Sequence, residues 1–183
     1  MDTIGKILAA PPINEDEYWG KSVVFIYEQN PENTIGVTVN KPSEKTVAEL
    51  CEHHGLNYHG KELLYIGGPV NPNALLMIHT TDWHGDNTLE IDGEYRITSD
   101  KTMLHRLVQG DRPKKWRLIL GMSVWKNGQL EGEISGKAPW SRSHSWLISE
   151  PTESMIFGKE SEVQWNHAIH VSGKNMIDKF FSI

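Results

Sequence analysis

Residues 22–29, SVVFIYEQ, and residues 34–40, TIGVTVN, decide the fold class. Both runs are rich in β-branched and aromatic side chains, and neither has the three-to-four-residue spacing of a helix. Asn30-Pro31-Glu32-Asn33 lies between them, and residues of these types favour a tight turn. The pair reads as a β-hairpin. Gly36 stands inside the second strand, where a glycine predicts a bulge or the close approach of another backbone.

Working outward, Ile4 to Ala10 is short, apolar and stopped by Pro11-Pro12, which suits a first strand. Beyond the hairpin, Thr46 and Glu49 form a capping box for a helix with Val47, Leu50, Cys51 and His54 on one face. Gly55 ends it, and Leu56 folds back. Leu63 to Ile66, Leu75 to His79 and Trp116 to Met122 read as strands, and Thr88 to Ile97 as a hairpin about Asp92-Gly93. Ser99 is placed to cap a helix carrying Met103, Leu104, Leu107 and Val108, stopped by Gly110. Lys126 to Ile134 reads as a short helix and Trp146 to Ile148 as a late strand. Ser161 with Gln164 predicts a second capping box, for a helix ended by Gly173. Strands dominate the first half and alternate with helices in the second. That order predicts an α+β fold on a mixed, largely antiparallel sheet.

The chain has 183 residues, which fits one domain over 1–183 with a short helical appendage at 174–183. With 38% hydrophobic residues and 16 glycines it has the composition of a globular protein, not of a disordered or disulfide-stapled one. The net charge is −6: residues 1–91 carry −8 and residues 92–183 carry +2. The dense basic cluster is Arg112, Lys114, Lys115 and Arg117, beside Trp116. A solvated loop entering a strand explains it without nucleic acid, so direct DNA binding is not expected. A single cysteine, Cys51, excludes an internal disulfide and fits a reducing compartment. No run approaches 18 apolar residues, so no membrane span is expected. The N-terminus lacks a secretory apolar region, and the chain reads as cytoplasmic.

Three segments in register are distinctive. The first runs from Ser22-Val23-Val24 through Ile35-Gly36-Val37 to Val39-Asn40-Lys41-Pro42. The second is Gly67-Gly68-Pro69-Val70, followed by His79-Thr80. The third is Leu120-Gly121, Trp125, Gly128-Gln129-Leu130-Glu131 and Glu133-Ile134. In this order and spacing the chain resembles the AlgH/YqgE family of bacterial proteins from about Ile4 to Ala168. The resemblance implies a bifurcated sheet containing a small closed barrel, surrounded by helices. The family has no established molecular activity, although some members are labelled transcriptional regulators. The family commonly continues from Ser-Val-Val to Cys-Glu-His, where this chain has Tyr27-Glu28-Gln29. It also commonly carries an arginine after Gly-Gly-Pro, in the region of Ala74 and Leu75.

Each candidate site residue has a functional and a structural reading. Gly67-Gly68-Pro69 after a strand could turn its N–H groups into an anion nest, or could let two backbones pack closely. Asn40 could bind a ligand or close a turn before Pro42. Gly128 opens a helix on which Gln129 and Glu133, four apart, share a face. They could read a polar ligand or pin the helix start. His79, which follows an apolar strand, is the leading single catalytic candidate, although a lone histidine at a strand end is more often a hydrogen-bonded structural residue. Trp140, Arg142, His144 and Trp146 form the stretch most suited to a partner contact. Cys51, His53, His54 and His59, like His167 and His170, do not supply the ligand quartet of structural zinc, so no metal and no cofactor are expected. Gly121-Met122-Ser123-Val124-Trp125 lacks the second glycine of a nucleophile elbow. The leading expectation is a non-enzymatic binding or regulatory protein with a protein partner or small-molecule ligand. The first alternative is an enzyme using His79 near the Gly67-Gly68-Pro69 loop. The second is a transcriptional regulator without direct DNA contact.

Overall fold

A computed structural model describes residues 1–140 and 145–181. Ten strands join into one sheet: β1 (Ile7–Ala9), β2 (Val23–Gln29), β3 (Asn33–Thr38), β4 (Pro42–Thr46), β5 (Leu63–Ile66), β6 (Val70–Thr80), β7 (Thr88–Leu89), β8 (Tyr95–Thr98), β9 (Trp116–Lys126) and β10 (Leu147–Ser149). Five helices accompany them: α1 (Val47–His53), α2 (Met103–Val108), α3 (Gln129–Ser135), α4 (Glu153–Phe157) and α5 (Ser161–Phe181).

The main path runs β10-β1-β2-β3-β9-β6-β8-β7, with β4 attached to β5 and β5 to β9. Among the described residues every pairing is antiparallel except β5 with β9. The β2–β3 hairpin forms as its sequence dictates, and the register shifts between Ile26 and Glu28, opposite Gly36 and Ile35. A Cβ on Gly36 would lie 2.8 Å from Ile26 Cδ1 and 2.9 Å from Val24 Cγ1, so the glycine serves both the bulge and the close approach.

β9 joins the two parts of the sheet. Ser123 to Lys126 pair with Gly36 to Asn33 of β3. Trp116 to Leu120 pair with His79 to Leu75 of β6. Ile119 and Leu120 also run parallel to Tyr65 and Ile66 of β5. β5 leaves the ladder just before β3 joins it, and the sheet divides there. Gly121 takes the left-handed conformation at the division, φ +75°. The barrel implied by the resemblance takes the form of a half-barrel, a curled antiparallel sheet.

Three apolar clusters fill the molecule. The largest packs Ile7, Phe25, Val37, Ile78 and Ile119 against Met155, Ile156 and Trp165 of α4 and α5. A second gathers Val47, Cys51, Met77, Leu104, Leu107 and Leu118 under α1 and α2. The third joins Leu8, Val24, Ile26 and Leu130 to Trp125 and Trp146.

The Thr46–Glu49 capping box is present, and the Leu56 N–H returns to the Cys51 carbonyl after Gly55 at φ +71°. Several expectations need correction. Ser99 does not cap α2; the Asp100 carboxylate accepts from the Thr102 N–H and hydroxyl instead. Gln164 does not complete a capping box, because its amide reaches across to the Met155 carbonyl and ties α5 to α4. Gly173 does not end a helix: α5 continues through it to Phe181. The sequence reading also missed β4 and α4. α4 starts at Thr152, whose hydroxyl accepts from the Met155 N–H.

Candidate functional site

The β9–α3 connection builds the site. Gly128 takes φ +76° at the start of α3, and the Lys126 N–H donates to Gln129 Oε1 at 3.1 Å. This tight turn folds α3 back on the strand that precedes it. Glu133, one turn further along, is thereby carried in among the indoles and is 9% exposed.

Glu133 Oε2 accepts from Trp125 Nε1 at 2.9 Å and from Trp146 Nε1 at 2.8 Å. Its Oε1 accepts from Gln129 Nε2 at 2.9 Å. Three donors on three segments thus hold one carboxylate. Among the described residues no cation lies within ion-pair distance of it. Trp19, Trp125 and Trp146 pack around it, with ring centroids 5.7 to 6.4 Å apart and two of the three contacts edge-to-face.

A recess of about 130 Å³ opens beside this group, walled by Pro69, Val70, Ser123 and the Trp19, Trp125 and Trp146 rings. That is room for about four waters or one compact ligand head. Gly67 and Gly68 set the position of the Pro69 wall. A Cβ on Gly68 would collide with the Met122 carbonyl and stand 2.5 Å from the Ser123 nitrogen. One on Gly67 would meet Ile119 Cγ2 at 2.5 Å. The Gly67 N–H donates to Leu120 O, and its carbonyl accepts from the Thr38 N–H, both at 2.8 Å. Neither glycine has a positive φ. The pair lets the turn lie flat on β9, and the Gly67 N–H and carbonyl are spent on neighbouring strands rather than turned into an anion nest.

The structure therefore brings Pro69, Gln129, Glu133 and Trp146 together. Gly67, Gly68 and Gly128 serve as the geometry that allows it. Asn40 is elsewhere in role: it is 1% exposed, and its amide is fully engaged. It accepts from the Val23 N–H and donates to the carbonyls of Lys21 and Ser161, which ties α5 to the hairpin.

His79 is also not at the recess. It pairs with Trp116 at the far end of β9, whereas Val70 pairs with Met122. Six residues of strand separate the two positions, about 20 Å. The ring is 0% exposed, and Nδ1 donates to the Thr80 carbonyl at 2.8 Å. In the neutral ring Nε2 then accepts from the Thr98 hydroxyl, also at 2.8 Å. Burial pushes the ring's pKa below the usual histidine value. The proposed pairing of His79 with the glycine loop is thus not met.

Trp140 is half-buried and lies over Gly132, where an added Cβ would stand 2.9 Å from Trp140 Cδ2. Arg142 and His144 lie outside the described residues. Trp146, a candidate for partner contact, is buried and donates to Glu133. The sequence reading missed Trp19, whose only signal was a high tryptophan count. The basic cluster is dispersed: Arg117 is buried, Lys115 pairs with Glu153, and Arg112 donates to the Tyr58 hydroxyl. Among the described residues no group of three or more His, Cys, Asp and Glu is placed to hold a metal, and no helix is long and apolar enough to cross a membrane.

The same architecture occurs in solved proteins. The solution structure of the AlgH protein from Pseudomonas aeruginosa superposes with a TM-score of 0.74 at 23% identity, covering 98% of this chain and 93% of that one. The crystal structure of DIP2367 from Corynebacterium diphtheriae gives 0.73 at 22% identity, covering 93% and 87%. Among sequences, a UPF0301 protein of Marinomonas sp. strain MWYL1 is 30% identical over 173 residues, covering 92% of this chain and 88% of its own length. A UPF0301 protein of Jannaschia sp. strain CCS1 is 30% identical over 178 residues, covering 94% and 89%. The family model described as AlgH-like matches residues 7–177, and the chain belongs to that family.

Proposed function

We propose that this protein is a non-enzymatic binding protein whose recess receives a small cationic group. The cation is an ammonium carried by a small ligand or by a partner's side chain. One observation carries the reading: Glu133 is a buried carboxylate held by two indoles and an amide, with no counter-charge among the described residues. Taking a carboxylate out of water costs several kcal/mol unless a partner compensates it. The indole rings add favourable faces for a cation, since tryptophan is the strongest aromatic partner in such contacts. We read the protein as regulatory through that partner and as cytoplasmic, which fits a buried and unpaired Cys51. The enzyme alternative lacks support, because the buried His79 stands about 20 Å along β9 from the glycine loop.

Titration with methylammonium and tetramethylammonium tests this, with methanol and tert-butanol as neutral analogues. The indole N–H resonances of Trp125 and Trp146 report binding. The cations should shift both resonances saturably, the alcohols should not, and Glu133→Gln should abolish the response. Equal response to the neutral analogues would refute a cation site.

A further inference from the structure

A second cavity, of about 470 Å³, lies where the start of β9 meets the end of α4 and the approach to β5. It is separate from the tryptophan recess: Arg117 on its wall and Trp125 are eight residues apart on one strand, about 26 Å. Its volume falls in the usual range of small-molecule sites, about 300–1,000 Å³.

Arg117 is the unusual group. It is 8% exposed, and no carboxylate pairs with it among the described residues. Its Nη1 donates to the carbonyls of Val39 and Ile156, and its Nη2 to that of Gly158 at 2.8 Å. The guanidinium lies on the Tyr65 ring, 3.8 Å from the centroid. Nε and the second Nη2 hydrogen have no acceptor among the described residues. Burial lowers the pKa to about 10, which leaves the group charged at neutral pH. A structural role for the three carbonyl bonds is plain, since they fasten α4 to the sheet. That role needs donors, and it leaves the positive charge uncompensated.

The rest of the wall suits an anion. Lys61 and Lys159 line the cavity, are exposed, and have no ion pair among the described residues. Among the described residues Glu62 is the one acidic residue on the wall, and it accepts a hydrogen bond from the Tyr58 hydroxyl. Three cations against one carboxylate leave +2 in a chain whose net charge is −6. Trp116 and Phe157, both half-buried, provide the apolar surface.

We propose that this cavity binds a phosphomonoester carried on a planar ring. A phosphomonoester holds about −1.5 to −2 at pH 7, which matches the wall. Its oxygens would meet the two lysines and the free N–H groups of Arg117, as charge-assisted bonds favour. The ring would lie against Trp116 and Phe157.

Phenyl phosphate and adenosine 5′-monophosphate serve as probes on the full chain. Inorganic phosphate, phenol and adenosine are the controls. Calorimetry measures affinity, and the Trp116 indole and Arg117 Nε resonances locate it. Both phosphomonoesters should bind saturably and at least about tenfold tighter than any control, a difference of about 1.4 kcal/mol. Lys61→Ala with Lys159→Ala should weaken them about tenfold without moving the melting temperature. Glu133→Gln, at the other site, should leave them unchanged. Arg117→Lys, which keeps the charge but loses the fork, should weaken them further. Absence of saturable binding would overturn the proposal, as would binding that is indifferent to the two lysines. Inorganic phosphate binding as tightly as phenyl phosphate would also overturn it.

Discussion

Replacing Glu133 separates the hydrogen-bond reading of the recess from its charge. Glu133→Ala leaves Trp125 Nε1 and Trp146 Nε1 without their acceptor inside the molecule. Both indoles are buried, so each orphaned donor costs about 1–3 kcal/mol. Gln129 is only half-buried and can turn its amide to water, so its loss counts for little. The two orphaned donors cost about 4 kcal/mol and the relief of the buried charge returns about 1, so the expected net loss is about 3 kcal/mol, which lowers the melting temperature by about 6–12 °C for a chain of this size. Glu133→Gln is a different perturbation. Its carbonyl can stand where Oε2 stood and accept both indoles. Its amide would face Gln129 Nε2, donor against donor, so Gln129 must rotate and release the exposed Lys126 N–H. That costs about 0.5–1.5 kcal/mol. Against it stands the relief of removing a buried, uncompensated charge, a gain of similar size or larger. Stability should therefore stay within about 1 kcal/mol of wild type while cation binding disappears. Thermal unfolding followed by near-ultraviolet circular dichroism measures both variants, since that signal reports the packed indoles. A Glu133→Ala protein melting within about 2 °C of wild type would refute the hydrogen-bond reading. So would a Glu133→Gln protein as damaged as Glu133→Ala.

Gly68→Ala places a methyl against the Met122 carbonyl and the Ser123 nitrogen, neither of which yields like a side chain. Overpacking costs about 1–3 kcal/mol and more against backbone, so the melting temperature should fall by at least about 6 °C. Gly173→Ala should act the other way, because the position is helical and nothing lies within 4 Å of the added carbon. A gain of about 0.5–1 kcal/mol, read as a higher denaturant midpoint with unchanged slope, is expected. Burial lowers the pKa of His79 below 6.5, so the unfolded chain takes up that proton more readily than the folded one. Its contribution to stability is complete above about pH 6.5 and is lost as the pH falls through the depressed folded value. Denaturant midpoints across pH 5 to 7.5 should show the decline, and it should be smaller in His79→Gln.

Local chemistry made much of the fold legible. The Thr46–Glu49 box, the Gly55 stop and the Asn30–Asn33 turn each depend on a few neighbouring residues. Each appears where the residue types place it. Gln164 misled because its local preference loses to a tertiary contact, the bond to the Met155 carbonyl, and Gly173 misled because a helix already in place runs through a single glycine. Trp165 donates to the Ala10 carbonyl at 2.7 Å and Ala168 is buried, so the first half of α5 is fixed on the sheet, and the helix runs on through Gly173 at the cost of one interior glycine, about 1 kcal/mol. β4 was invisible because Pro-Ser-Glu-Lys-Thr has no apolar alternation; its partner β5 supplies the order.

The site was half legible, and the boundary has a physical cause. Gln129 and Glu133 could be paired from their spacing on one helix, and Gly67-Gly68 marked a close approach wherever it occurred. What the spacing could not supply was the destination of that helix face. The destination depends on Trp19 and Trp146, which are more than a hundred residues apart in sequence and meet with ring centroids 5.7 Å apart. Arg117 shows the converse. In sequence it belonged to a basic run with Arg112, Lys114 and Lys115, the pattern of a solvated loop. The strand that begins at Trp116 turns it inward, away from those neighbours and onto Tyr65. Strand alternation would have turned the Arg117 side chain from the face that Trp116 takes, although both residues border the same cavity. Two buried charges of opposite sign therefore sit on or beside one strand, each lacking a counter-charge among the described residues. A fold with no use for them would gain by replacing both with apolar residues of similar volume. Substituting Arg117 by methionine removes the charge and also orphans the carbonyls of Val39, Ile156 and Gly158, which costs about 1–3 kcal/mol for each that stays buried; a protein that nonetheless keeps its stability while phenyl phosphate binding is lost would show that the charge is retained for a ligand rather than for the fold.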